Sequence, residues 1–172
     1  MPVRHIARSG LTHTTYGLIG EHIAAASILA QGWRVAMAQM DGVDLVAWNI
    51  DTMERLLIQV KSGQASIHGR RKVQFQTAMG GIKQPNGTKR KRLPTSVDFD
   101  ILALVSSEQR AVFFMSVTEI KQQKITKSVD FFENPNLETE SWKASVEQFN
   151  ETNTQQTTLR NIKHRSRSSR NS

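Results

Sequence analysis

The order of segments in this chain predicts a mixed α/β (α+β) fold, one central sheet with helices packed against it. Three observations lead there. An alanine-rich helical stretch follows the hydroxyl-rich run at 12–15, three strand-length segments succeed one another between Trp33 and Lys61, and residues 100–105 form an almost continuous apolar run suited to a buried central strand. At 172 residues with a hydrophobic fraction of 38%, the chain can support one core and hence one domain.

Each element has its own local signal. Thr12-His13-Thr14-Thr15 supplies hydroxyl caps for a helix through Gln31, and Gly32 provides a left-handed stop; Glu21 lies inside this helix. Residues 33–38 read as a first strand, Asp41-Gly42 as a turn, 43–49 as a second strand, and 55–61 as a third after a turn at 51–54. Three adjacent strands with short links pair as an antiparallel meander by default. Residues 64–67 and 72–76 flank His68-Gly69, and Lys72-Val73-Gln74-Phe75-Gln76 alternates with period two, which predicts a β-hairpin extension of the third strand. Residues 80–96, with three glycines, two prolines and the run Lys89-Arg90-Lys91-Arg92, read as a mobile loop.

The apolar strand at 100–105 is expected to pair with 111–117, and Thr118 to cap a short helix to about Lys124. Trp142, Val146 and Phe149 share one side of a short amphipathic segment within 140–149. From Asn150 onward Thr, Gln, Asn, Ser and Arg leave little to bury, which predicts a disordered tail. Its final stretch carries several arginines and no acid, and reads either as an electrostatic arm or as a plainly solvated tail.

A net charge of +8 favours a polyanionic partner, nucleic acid foremost, although membrane-surface and plainly solvated proteins share such a balance. With no cysteine, disulfides, thiolate zinc sites and a cysteine nucleophile are excluded together. Nothing approaches an apolar span of ~20 residues, and the start of the sequence lacks a signal-peptide core, so a cytoplasmic protein without membrane association is expected. The histidines at 5, 13, 22, 68 and 164 show no metal-ligand spacing, and no phosphate-loop pattern occurs.

The most informative grouping is an acid on one strand and a polar-x-lysine on the next. Asp44 opens the second strand, and Gln59 and Lys61 fall on one face of the third because strand periodicity is two. The carbonyl of Val60 between them stays available as a ligand, and Glu21 of the helix can add an outer carboxylate. Phosphodiester hydrolysis needs an activated water and neutralised charge, which a divalent metal on Asp44, Gln59 and Val60 and a nearby lysine can supply together. Each member also has an ordinary structural explanation. Asp44 suits a turn, Lys61 an edge, and Glu21 an exposed helix face, whereas a buried Gln59 amide needs partners.

Gly20-Glu21 in a first helix, Gly42-Val43-Asp44-Leu45-Val46 on a strand and Ile58-Gln59-Val60-Lys61-Ser62 on the next resemble the PD-(D/E)XK nuclease superfamily. Within it the likeness is to group I intron-type homing endonucleases and their bacterial and archaeal relatives, with an echo of archaeal Holliday junction resolvases. The resemblance covers about residues 15–124 and extends to the strand pair at 97–105 and 112–117. It implies a restriction-endonuclease-like mixed central sheet flanked by helices, over a nuclease domain at 13–126. A flexible N-terminus at 1–12, a peripheral segment at 127–150 and a disordered basic tail at 151–172 would lie outside it. It further implies Glu21, Asp44, Gln59 and Lys61 as catalytic residues, with Mg²⁺, or Mn²⁺ in its place, on Asp44, Gln59 and Val60. Gln59 departs from the second carboxylate of many members, as the homing branch does, and removes one negative charge from the ligand set.

For DNA contact the sequence offers Gln64, Gln74 and Gln76, whose amides suit base edges, and Arg70, Arg71, Lys72, Lys89, Arg90, Lys91 and Arg92, which suit phosphates. A polar hairpin face and a charged loop are equally ordinary features of a solvated surface. Cutting two strands with one active site per chain favours a homodimer or higher homo-oligomer. The competing expectations are a DNA-binding protein on a nuclease scaffold with weak catalysis, and an RNA-associated structural protein resting on charge alone.

Overall fold

The computed structural model describes residues 12–65, 71–80 and 91–168. Arg70, Lys89 and Arg90 lie outside the described residues, as do the expected hairpin tip and most of the glycine-rich loop.

Helix α1 (His13–Ala30) begins where Thr12 accepts a hydrogen bond from the Thr15 N–H at 3.2 Å, and ends where Gly32 takes a φ of +84°. Strands β1 (Arg34–Met40), β2 (Val43–Trp48) and β3 (Arg55–Gly63) then form the expected antiparallel meander. Asp41-Gly42 makes the first turn, Gly42 at a φ of +81°. In the second, the Asn49 side chain accepts the N–H groups of Asp51 and Thr52.

Strand β4 (Lys72–Gln76) leaves the main sheet before β5 (Ile101–Ser106) and β6 (Ala111–Ser116). The five-stranded sheet has the order β1-β2-β3-β5-β6, with β3 and β5 parallel and every other pair antiparallel. This is the mixed sheet expected. The parallel pair places β5, buried at every position, in the interior of the layer.

Helices cover one face. Ala24 and Ile28 of α1 and Trp142 of α2 (Leu137–Ser168) pack on Leu45, Ala47, Leu56, Ile58, Ile101 and Ala103. Trp142 meets Trp33 and Phe114 edge-on, at centroid distances of 5.2 and 4.9 Å. On the other face Phe75, Phe99 and Phe132 join Leu102 and Leu104 beneath a two-stranded sheet of β4 and β7 (Lys124–Ser128).

Three local expectations differ from what the chain does. Among the described residues the expected hairpin after β3 shows one antiparallel bridge, Ala65 to Val73, and the full ladder of β4 is with β7. A Cβ on Gly63 would stand 2.5 Å from Val73 Cγ1, so β4 crosses tightly over the end of β3 instead of extending it. The helix expected from Thr118 is a single 3-10 turn, Val117–Glu119, capped by Ser116 and closed by the Glu119 carboxylate on the Ser116 N–H. It stops because Ile125 and Thr126 are β-branched and continue as strand β7. Finally, α2 does not end near Asn150 but runs to Ser168, with Thr152 and Thr154 hydroxyls returned to the carbonyls of Gln148 and Asn150. No helix of the described residues is long and apolar enough to cross a membrane.

The far edge of the sheet is closed by side chains. Alternate N–H groups of β6 are accepted by Glu138 (Val112), Ser141 (Phe114) and Glu119 (Ser116) at 2.9–3.1 Å. Glu138 also accepts the Ser27 hydroxyl at 2.5 Å, tying α1, β6 and α2 together.

Candidate active site

An irregularity in β1 aims Asp44. Between the pairs Met37 to Leu45 and Met40 to Val43, two residues of β1 oppose Asp44 alone, a bulge that bends the edge of the sheet. The β2–β3 ladder is regular up to Leu45 opposite Ile58. Beyond it the Asp44 carboxylate takes the place of the main chain, its Oδ2 accepting the Val60 N–H at 2.6 Å.

Gln59 completes the cluster. It is 6% exposed, and its Nε2 donates both to Asp44 Oδ2 and, at 3.3 Å, to the Val60 carbonyl. The three groups expected as metal ligands therefore meet at one point. A half-turn of the amide presents Oε1 there instead of Nε2, giving a carboxylate, an amide oxygen and a carbonyl oxygen, the hard donors that suit Mg²⁺ or Mn²⁺. Among the described residues no three His, Cys, Asp or Glu side chains cluster as a metal group; beside the Asp44 carboxylate stand the Gln59 amide and the Val60 carbonyl.

Glu21 faces this cluster from α1. Burial pushes its carboxyl above the usual range, the Asp44 charge pushes the same way, and His22 partly opposes them. Gly20 beside it permits the approach: a Cβ there would stand 1.7 Å from Ser62 Oγ.

Half-buried Lys61 lies on the Gln59 face of β3, next to Leu104 of β5. It opens into a cleft of about 590 Å³ lined by His13, Tyr16 and Gly17 of α1, Val60 to Gln64, and Gln74 of β4. Gln64 and Gln74, expected to touch DNA, thus line one cavity with Lys61. Gln76 is half-buried, paired with Lys124.

The arginines are placed differently. Arg71 bonds Glu133 at 3.0 Å and lies 3.4 Å from Asp130, an exposed network that holds the chain end of β7. Arg92 is bidentate on Asp98, which also accepts the Thr95 N–H, and this contact draws the Asp98 carboxyl down to about 2. Lys72 and Lys91 are exposed.

His13, Tyr16 and Gly17 were not singled out from the sequence. The signal available was the spacing of His13, Gly17 and Glu21, four residues apart and so on one helix face.

Neither a protein-family model nor a curated protein matches the sequence. The chain is similar in fold to the solved structure of a bacterial homing endonuclease, I-Ssp6803I, with a TM-score of 0.60 and 18% identity over 80% of this chain and 95% of that one.

Proposed function

We propose that this protein is a metal-dependent DNA endonuclease of the PD-(D/E)XK type that hydrolyses phosphodiester bonds. The observation that carries the reading is the convergence of Asp44, Gln59 and the Val60 carbonyl, with Lys61 two residues on and opening into a cleft. The fold shared with a bacterial homing endonuclease supports it.

Asp44, Gln59 and Val60 would hold Mg²⁺, or Mn²⁺, which when bound lowers the pKa of water and neutralises phosphate charge. The chain's own part is positioning. Lys61 hydrogen-bonds the attacking water and a phosphoryl oxygen, offsetting charge that grows in the transition state. Glu21, with its raised affinity for a proton, exchanges hydrogen bonds with water between α1 and β2. Two copies would serve the two strands of a duplex.

The neutral Gln59 amide in a ligand position favours one alternative, a DNA-binding protein on this scaffold with weak catalysis. Nicking of supercoiled plasmid with Mg²⁺, Mn²⁺ or chelator separates the two. The expected outcome is metal-dependent cutting, reduced about 100-fold or more in Lys61→Ala and Asp44→Ala, with DNA binding retained by Asp44→Ala. Wild-type binding without cutting on any DNA tried would instead favour the binding protein.

A further inference from the structure

His13, Gly17 and Glu21 form one stripe along α1, about 6 Å per step. At one end the stripe meets the Asp44–Gln59 cluster, where carboxylates favour a cation. At the other it becomes a wall of the cleft, whose lining holds His13, Tyr16, Lys61, Ser62, Gln64 and Gln74 and no carboxylate. Five of those side chains can donate hydrogen bonds into it, whereas the Ser62 hydroxyl is buried against Gly20. Between the two ends lies Gly17, where a Cβ would meet no atom within 4 Å, so bare backbone faces open space. Over two helical turns the surface changes from cation-attracting to anion-attracting.

We propose that this cleft seats a second DNA phosphate, the neighbour of the scissile one on the same strand, with Lys61 between the two and His13, Tyr16 and Gln74 around the second. The inference rests on the DNA reading above and deepens it. The missing side chain at Gly17 is what leaves room for the phosphate oxygens. The seat fixes the register of the strand, so that the phosphate beyond Lys61 falls at the Asp44–Gln59 cluster. It carries no base information.

The test is Gly17→Asp, which puts an anion into the open space, while aspartate is no worse than glycine within a helix. Thr14→Asp is the comparison: the same charge change, exposed on the same turn, outside the cleft lining. Gln74→Glu, from the opposite wall, repeats the test should Gly17→Asp not fold. The readouts are thermal melting and binding of a short labelled duplex of arbitrary sequence at several salt concentrations, with chelator present.

Gly17→Asp and Gln74→Glu are expected to melt like wild type and bind about tenfold more weakly, with a log-log salt slope shallower by about 0.9. Thr14→Asp is expected to bind close to wild type. Folded Gly17→Asp and Gln74→Glu that bind no more weakly than Thr14→Asp overturn the inference and leave the endonuclease reading standing. A wild-type protein that binds no duplex overturns both.

Discussion

Gly20 and Ser62 touch where α1 crosses β3, and the contact leaves no space for a Cβ: it would stand 1.7 Å from Ser62 Oγ and 3.0 Å from Ser62 Cβ. Ser62 Oγ is itself buried with no hydrogen-bond partner. The contact sits between Glu21 and Lys61, so it sets the distance between the helix and strand halves of the site.

Gly20→Ala gains about 1 kcal/mol of helix propensity but meets about 1–3 kcal/mol of overpacking. The expected result is a net loss of stability and a larger loss of cutting, both recovered in Gly20→Ala/Ser62→Gly. Urea unfolding of the two singles and the double measures it. Additive effects would show that the two residues do not act through each other.

Gln59→Glu places a second carboxylate against Asp44 and the Val60 carbonyl. Without metal the variant is expected to melt lower than wild type from like-charge repulsion, and with Mg²⁺ or Mn²⁺ to gain more in Tm than wild type does. Identical metal dependence of the two Tm curves would argue against a cation at this point.

Two aspartates give opposite pH signatures. Asp98 is held at about 2, below its ordinary 3.8, chiefly by Arg92, so its contribution is fully present above pH 4 and is lost as pH falls through about 2. Arg92→Ala is expected to flatten the fall in stability across that window. Asp100 is raised above 3.8 by burial, the Leu57 N–H partly opposing, so the folded protein holds that proton more tightly and stability declines as pH rises through its folded value. Asp100→Asn, whose side-chain oxygen can still accept from Leu57, is expected to remove that decline; urea midpoints against pH read both.

Glu138 bonds the Val112 N–H and the Ser27 hydroxyl at once. Glu138→Ala leaves a part-buried donor unmatched, at a cost of about 1–3 kcal/mol, and uncovers one end of β6. Lower urea stability together with concentration-dependent association in light scattering is expected. A stable, monodisperse variant would show that the strand edge needs no such cover.

Helix α1, the meander and the buried strand β5 were legible because each is signalled within a few residues, by Thr12 and Gly32, by Asp41-Gly42, and by the unbroken run Ile101 to Val105. Asp44, Gln59 and Lys61 could be grouped because strand periodicity and a short turn fix their relation. The partner of β4 was not legible. Lys72 meets Ser128 and Gln76 meets Lys124, about fifty residues away, and Lys124–Ser128 is short, polar and half-exposed. The cleft was hidden for a similar reason: its walls come from α1, β3 and β4, and no single window contains His13, Lys61 and Gln74. Nor does charge alone reveal that Arg71 and Arg92 are held by nearby carboxylates.

The side-chain cover on β6 makes the sheet directional. One border is sealed by Glu138, Ser141 and Glu119, and the other, β1, is the only border of that sheet, among the described residues, at which a further strand could be hydrogen-bonded. Strand addition there would use the one border of the five-stranded sheet that, among the described residues, side chains leave uncovered. An edge-to-edge pairing of β1 with a second copy of β1 would leave that five-stranded sheet with covered borders only, so growth through this sheet would end at two copies.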